Sequence, residues 1–267
     1  MTEGHQRSRV RFTDLLRSEW TKFRSLRSIW WTLLAMLLLS VAVTLLISTG
    51  DDAKYGELSA EDRRAWDPTG LSLQSFFMGQ LVVSVLGVLV VTSEYATGMI
   101  RTSLAAMPRR GRLLAAKTLV FLAAALVVGQ VTAFLCFLIG QATIGRQDGV
   151  PTASLGDDGV LGAVFGTGLY LAGIGLLAVA VGTLMRATAG GLAVQVGITL
   201  LVPAFGGLFP SWTQKLFAFW PSLGAAEVRN LHPSSEYPHV WLNLLGMTAG
   251  VAMLLVASFA VFRRREV

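Results

Sequence analysis

Six apolar runs organise this chain: Ile29–Ser48, Leu71–Ser93, Thr118–Gly140, Gly159–Met185, Ala187–Phe209 and Val240–Phe262. Each holds about 20 residues or more, which at a rise of about 1.5 Å per residue is enough for a helix to cross a hydrocarbon core of about 30 Å. None contains Asp, Glu, Lys or Arg, as the cost of placing charge in lipid demands. Without water to satisfy backbone groups, runs of this length can span a bilayer only as helices. The pattern therefore predicts an all-α polytopic membrane protein with six transmembrane helices. Residues 1–267 read as a single membrane domain, with a cytoplasmic amphipathic lead over 1–28, six spans over 29–262 and a basic tail over 263–267.

The pattern changes period just before the first span. In "FTDLLRSEWTKFRSLRS", Phe12, Leu15, Leu16, Trp20, Phe23 and Leu26 share one helical stripe, while Arg17, Lys22, Arg24 and Arg27 lie largely away from it. A basic amphipathic helix of this kind lies in the headgroup plane of a membrane, and Trp30 and Trp31 mark the interface where the first span begins. The fifth run contains Pro203, which removes one backbone hydrogen bond and predicts a kink or interruption near the far end of that helix. After it, the aromatic stretch with Trp212, Phe217, Phe219 and Trp220 reads as short helices dipping into the interface. Gly162-x-x-x-Gly166 and Gly246-x-x-x-Gly250 predict close helix approach, with packing inside one subunit favoured over a dimer seam.

Charge adds orientation. The lead, residues 94–117, Arg186 and the tail together hold 16 basic and five acidic residues. The loops at the opposite ends of the spans (49–70, 141–158 and 210–239) hold six basic and 11 acidic. By the positive-inside rule the first set faces the cytoplasm, and an even number of spans with both termini inside satisfies every loop. This distribution ties the positive charge to topology and anionic headgroups, with no nucleic-acid partner expected. The single cysteine, Cys136, lies within the third span, so the chain can form no internal disulfide. The long basic lead and span-length first run do not read as a cleaved signal peptide.

The same inventory weighs against an enzyme. His5, His232 and His239 all lie outside the spans and supply too few ligands for a zinc site, so no metal is expected. No pair of carboxylates lies within a span, and no HExxH, GxSxG or CxxC occurs. The dipeptide Gly-Lys is absent, and with it the phosphate-binding loop whose lysine and amides hold a nucleotide. If ATP powers this protein, a separate polypeptide hydrolyses it. Ion coupling would call for ionisable groups at mid-membrane depth, and the spans offer only neutral polar residues. Of these Gln80, Gln130, Gln195 and Asn243 are the candidates to line a pathway, with hydrogen bonding between helices as the simpler alternative.

One interruption between spans is too long and too patterned for a mere connection: "TSEYATGMIRTSLAAMPRRGRLLAAK", residues 92–117. Gly98 offers a break after Glu94. Ile100, Leu104 and Met107 then fall on one face of a short helix that Pro108 stops, and Arg109, Arg110, Arg112 and Lys117 follow. A short helix joined to two spans at the membrane surface can carry force from a partner into the bilayer.

This stretch, "SEYATGMIRTSLAAMPRRGRLLAAK" (93–117), together with "LLRSEWTKFRSLRSIWWTLL" (15–34), resembles the type-2 permease subunits of ATP-binding-cassette transporters, particularly short actinobacterial members. The resemblance implies that the first segment is the coupling helix that docks in a cleft of the ATPase. By residue-to-residue match it makes Glu94, Tyr95, Gly98, Arg101, Leu104, Pro108 and Arg110 docking or loop-shaping candidates. It further implies two permease subunits, identical or different, and two ATPase subunits that carry ATP and Mg, no cofactor being bound by this chain. The setting would be a bacterial cytoplasmic membrane and the expected direction export. The alternative is a membrane anchor, scaffold or sensory subunit without transport activity.

Overall fold

The computed structural model of the chain describes residues 11–49, 55–99 and 110–264, all-α among those residues. The lead folds as helix α1 (Phe12–Ser25), with the Asp14 carboxylate accepting the Arg11 N–H at 3.1 Å to cap its first turn. Leu26 is extended, at φ −81° and ψ 104°, and turns the chain into α2 (Arg27–Ser48). Leu26 is thus an exposed corner rather than the end of the apolar stripe. Trp20 also stays exposed, stacked on Phe23 at 6.3 Å, while Leu15, Glu19 and Phe23 turn inward.

Among the described residues, five stretches are long and apolar enough to cross a membrane. They are α2; the stretch Pro68–Ala96, built from α4 (Pro68–Leu73) and α5 (Phe76–Ala96); α6 (Arg110–Ile144); α7 (Val160–Met185); and α11 (Val240–Arg264). A short helix α3 (Ala60–Arg64) precedes α4, and Asp67 caps α4 by accepting the Gly70 N–H at 2.9 Å. Four of the spans match the predicted runs to within a few residues. The 35 residues of α6 exceed its predicted run at both ends and reach about 52 Å at 1.5 Å per residue. The helix takes in Arg110, Arg112 and Lys117 because nothing after Pro108 breaks it.

The axis of the bundle is α7, which packs against α5, α6 and α11. Its sequence is apolar all round and carries no charge, and most of it is buried, Leu161, Phe165 and Leu169 forming the face left exposed. Glycine sets the spacing. A Cβ added at Gly87 of α5 would stand 2.5 Å from the Gly175 carbonyl oxygen, and one at Gly129 of α6 would stand 3.0 Å from that of Gly168. Of the two GxxxG motifs the first lies at a helix seam, as expected: Gly162 and Gly166 face the Trp241 ring of α11, and Gly166 also faces Val228. In the second, Gly246 seats Phe219 and Gly250 faces open space.

The fifth predicted run is interrupted, at the place the proline implied. It forms α8 (Thr188–Val196), a π turn (Gly197–Leu201) and α9 (Val202–Ala204), together shorter than the 187–209 expected. In the π turn the Val202 N–H reaches back to the Gly197 carbonyl. The next donor in that register would belong to residue 203, a proline, which leaves the Ile198 carbonyl without its backbone partner. The Trp220 indole N–H donates to that oxygen instead, at 2.8 Å. Trp220 belongs to the aromatic stretch, which holds α10 (Gln214–Phe217) and two 3₁₀ turns, Ser211–Thr213 and Gly224–Arg229. Trp220→Phe should therefore lower the thermal midpoint of the purified protein, with a loss of about 1–3 kcal/mol for the stranded carbonyl. In a Pro203→Ala background, which restores a backbone donor, the same change should cost less.

Candidate functional site

Helix α5 ends and α6 begins at the basic end of the bundle, on either side of residues 100–109. The candidates Arg101, Leu104 and Pro108 lie outside the described residues, while Glu94, Tyr95, Gly98 and Arg110 lie within them. Gly98 leaves the last turn of α5 with φ +70°, its N–H on the Tyr95 carbonyl at 3.3 Å. Residues with a Cβ are strained in that left-handed conformation, so glycine allows the chain to turn sharply here. Arg110 opens α6 and is half-buried.

Glu94 does not face solvent: it is 6 % exposed and belongs, among the described residues, to a ring of four charges. Lys117 Nζ donates to Glu19 Oε2 at 2.9 Å and to Glu94 Oε1 at 2.8 Å. Lys22 Nζ closes the other side, at 2.7 Å from Glu19 Oε1 and 3.4 Å from Glu94 Oε1. Acid and base alternate, the net charge is zero, and three elements contribute: α1 (Glu19, Lys22), the end of α5 (Glu94) and the first turns of α6 (Lys117). Glu19 and Lys117 are as deeply buried as Glu94, while Lys22 is half-buried.

The electrostatics follow from that enclosure. Burial acts to raise the Glu19 carboxyl, but Lys117 and Lys22 outweigh it and bring the pKa below the ordinary 4.5. Burial likewise acts to lower Lys22, and Glu19 and Glu94 outweigh it, raising the pKa above 10.5. A depressed carboxyl stabilises the fold above its ordinary value and loses that effect as pH falls through its folded pKa; a raised lysine is stabilising below 10.5 and loses the effect only above it.

Tyr95 is held from another direction. The Arg186 guanidinium lies 5.5 Å from the centre of its ring, and Arg186 ends α7 in the left-handed region with φ +56°. Buried Leu114 and Phe262 pack together with Tyr95 and Phe259 against them. The end of α5 is therefore fixed by α1, α6, α7 and α11 at once.

The four pathway candidates are dispersed rather than gathered. Gln80 Oε1 accepts from the Tyr170 hydroxyl at 2.7 Å and from Ser222 Oγ at 2.9 Å. Gln195 Nε2 donates to Ser84 Oγ at 3.2 Å, one turn along α5 from Gln80. Gln130 Nε2 donates to the Phe165 carbonyl at 2.9 Å and Asn243 Nδ2 to the Tyr237 carbonyl at 3.5 Å. Each ties one segment to another. An open groove of about 480 Å³ between α6, α7 and α11 is lined by Leu126, Leu169, Leu176, Leu244 and other apolar residues, Thr248 being its polar member, and none of the four glutamine and asparagine candidates borders it. Among the described residues no group of three or more His, Cys, Asp or Glu is placed to hold a metal ion.

Sequence reasoning missed Glu19 and set Lys22 apart from the buried face. The signal was present: Glu19 sits four residues from both Leu15 and Phe23, within the stripe that turns inward. A carboxylate at such a position needs a cation from another element. The acid side of the stability curve is the check. Thermal midpoints should fall as pH drops below about 4.5, the ordinary carboxyl value, and Glu19→Gln, already lacking that ionised group, should show a lower midpoint at neutral pH and a flatter acid limb.

A family model described as ABC-2 family transporter protein matches residues 15–206. No curated protein matches the chain. The matched region begins at α1, includes all four ring residues and both flanks of residues 100–109, and ends just past the π turn. It covers well over half of the sequence, and the chain belongs to the ABC-2 family of transporter proteins.

Proposed function

We propose that this protein is the membrane-spanning permease subunit of an ATP-driven exporter, and that the segment between α5 and α6 docks on a separate ATPase. Membership of the ABC-2 family makes the chain a transporter's membrane subunit, one that works with an ATP-binding subunit in a membrane complex. The observation that carries the docking reading is how the segment is anchored. Both flanking helix ends are fixed in the bundle by buried ionic and aromatic contacts, so force applied between them passes directly into α5 and α6.

Roles divide accordingly. Arg101, Leu104 and Arg110 are the contact candidates, whereas Glu94, Tyr95, Gly98 and Pro108 shape the loop. The stretch Thr188–Ala204 serves as a span, fifth in chain order, and six spans put both termini and the docking segment on the cytoplasmic face of a bacterial inner membrane. A second permease subunit completes the pathway. ATP on the partner drives the cycle by favouring one arrangement of the membrane subunits over another through differential contacts at the docking segment. Gln80, Gln130, Gln195 and Asn243 adjust helix contacts as that arrangement changes.

Affinity purification of the tagged protein from its native membrane tests this reading. A soluble ATPase with a phosphate-binding loop should co-purify with the wild type and fall at least about tenfold with Leu104→Asp, the cost of placing a carboxylate in an apolar contact. Recovery of the protein without an ATPase, in mild detergent with nucleotide present, would instead favour a scaffold.

A further inference from the structure

We propose that Glu19 is a positioning residue for the docking end: through Lys117 and Glu94 it makes α1 a third arm of the body formed by the end of α5 and the start of α6. The inference rests on the docking reading above and goes beyond it, because that reading turns on the ends of α5 and α6 and gives α1 no role in docking.

The geometry carries the step. Glu19 spans two lysines with separate oxygens, Oε1 to Lys22 at 2.7 Å and Oε2 to Lys117 at 2.9 Å. Lys117 in turn divides itself between Glu19 on α1 and Glu94 on α5. Lys117 is thus the node at which α1, α5 and α6 meet. Around it Leu15 of α1 packs against Ala116 of α6, with Phe12 and Leu16 alongside. Mere adhesion of α1 to the bundle would need only that apolar face. A four-charge ring adds direction, since each carboxylate must meet two ammonium groups that come from different helices.

Such a ring is also intolerant of partial loss. Removing one carboxylate leaves two lysines against one acid, and removing one lysine leaves the reverse, in both cases an uncompensated charge in a buried site. Removing Glu19 and Lys117 together leaves Lys22 and Glu94 as a neutral pair. The double variant should therefore be milder than either single one.

The test compares wild type, Glu19→Gln, Lys117→Met and the double variant in lipid nanodiscs by amide hydrogen exchange. Peptides covering residues 94–99 and 110–115 should exchange about tenfold faster in each single variant and return close to wild type in the double, while a control peptide at the acidic end of α7 (160–166) stays unchanged. ATPase recovered per folded permease from native membranes should follow the same order. A merely structural role would raise exchange throughout the protein and leave the ATPase yield per folded molecule unaltered. Unchanged exchange at 94–99 and 110–115 in the single variants, or a double variant no better than the worse single, would overturn the proposal. Should the single variants not fold, Lys22→Met, at the more exposed corner of the ring, should give the same local pattern at smaller amplitude. Were the wild type to retain no ATPase, the docking reading would fall, and the exchange pattern would still decide whether Glu19 holds the two helix ends.

Discussion

Inside a bilayer a polar group has no solvent to fall back on, and the architecture of this chain follows from that constraint. Helices satisfy the backbone wherever they run unbroken. Where Pro203 interrupts one, a side chain 22 residues downstream of the stranded carbonyl supplies the missing donor. Buried side-chain amides are met in part: Gln80 and Gln195 each reach a hydroxyl on another helix, while Gln80 Nε2 and Gln195 Oε1 have no partner among the described residues. Such bonds between helices are worth only about 0.6 kcal/mol each, whereas an unmet polar group costs several times that. Their effect is to fix which helix faces meet, more than to drive the helices together.

Charge obeys the same constraint more strictly. A buried ion pair contributes little net stability because desolvation offsets its attraction, yet breaking one exposes the whole penalty. The ring at the basic end is therefore poorly explained as a source of stability. It is well explained as a device that permits one arrangement of three helices and penalises others. Close glycine contacts along α5, α6 and α7 do the complementary work with dispersion forces, since Gly87 and Gly129 let backbones meet where any larger residue would hold them apart.

The boundaries of four spans were legible because they depend on local sequence: apolar runs of sufficient length, bounded by charge. The kink at Pro203 was legible for the same reason, but its Trp220 partner was not, since that contact depends on how the aromatic stretch folds back over α8 and the π turn. The GxxxG motifs pointed to helix–helix seams; the first lies against Trp241 of α11, whereas Gly246 of the second seats Phe219 from the aromatic stretch, because such a motif specifies a hollow and not its occupant. At the candidate site, Glu94, Gly98 and Lys117 stood out from their positions around the interrupted run. Glu19 did not, because amphipathic patterning counts a lone carboxylate as surface until the opposing lysine, 98 residues away in sequence, is placed beside it.

Coupling between an ATPase and a membrane subunit needs stiffness at the point of contact and freedom elsewhere. The basic end has the stiffness: ionic, aromatic and apolar contacts from four helices converge on the last turn of α5. The central helix α7 has little freedom of its own, since apart from the exposed face of Leu161, Phe165 and Leu169 it is largely buried against neighbours at glycine spacing. Deformation within the bundle is therefore costly, and movement transmitted from the proposed docking end would displace helices as connected bodies. The segment best suited to yield is α8 through α9. It is short, leaves the α-helical register at the π turn and depends on one indole for a backbone bond that an unbroken helix would make for itself. On the proposed reading, a push at residues 94–117 travels through the rigid pair of α5 and α7 and is taken up there, where the fewest contacts must break.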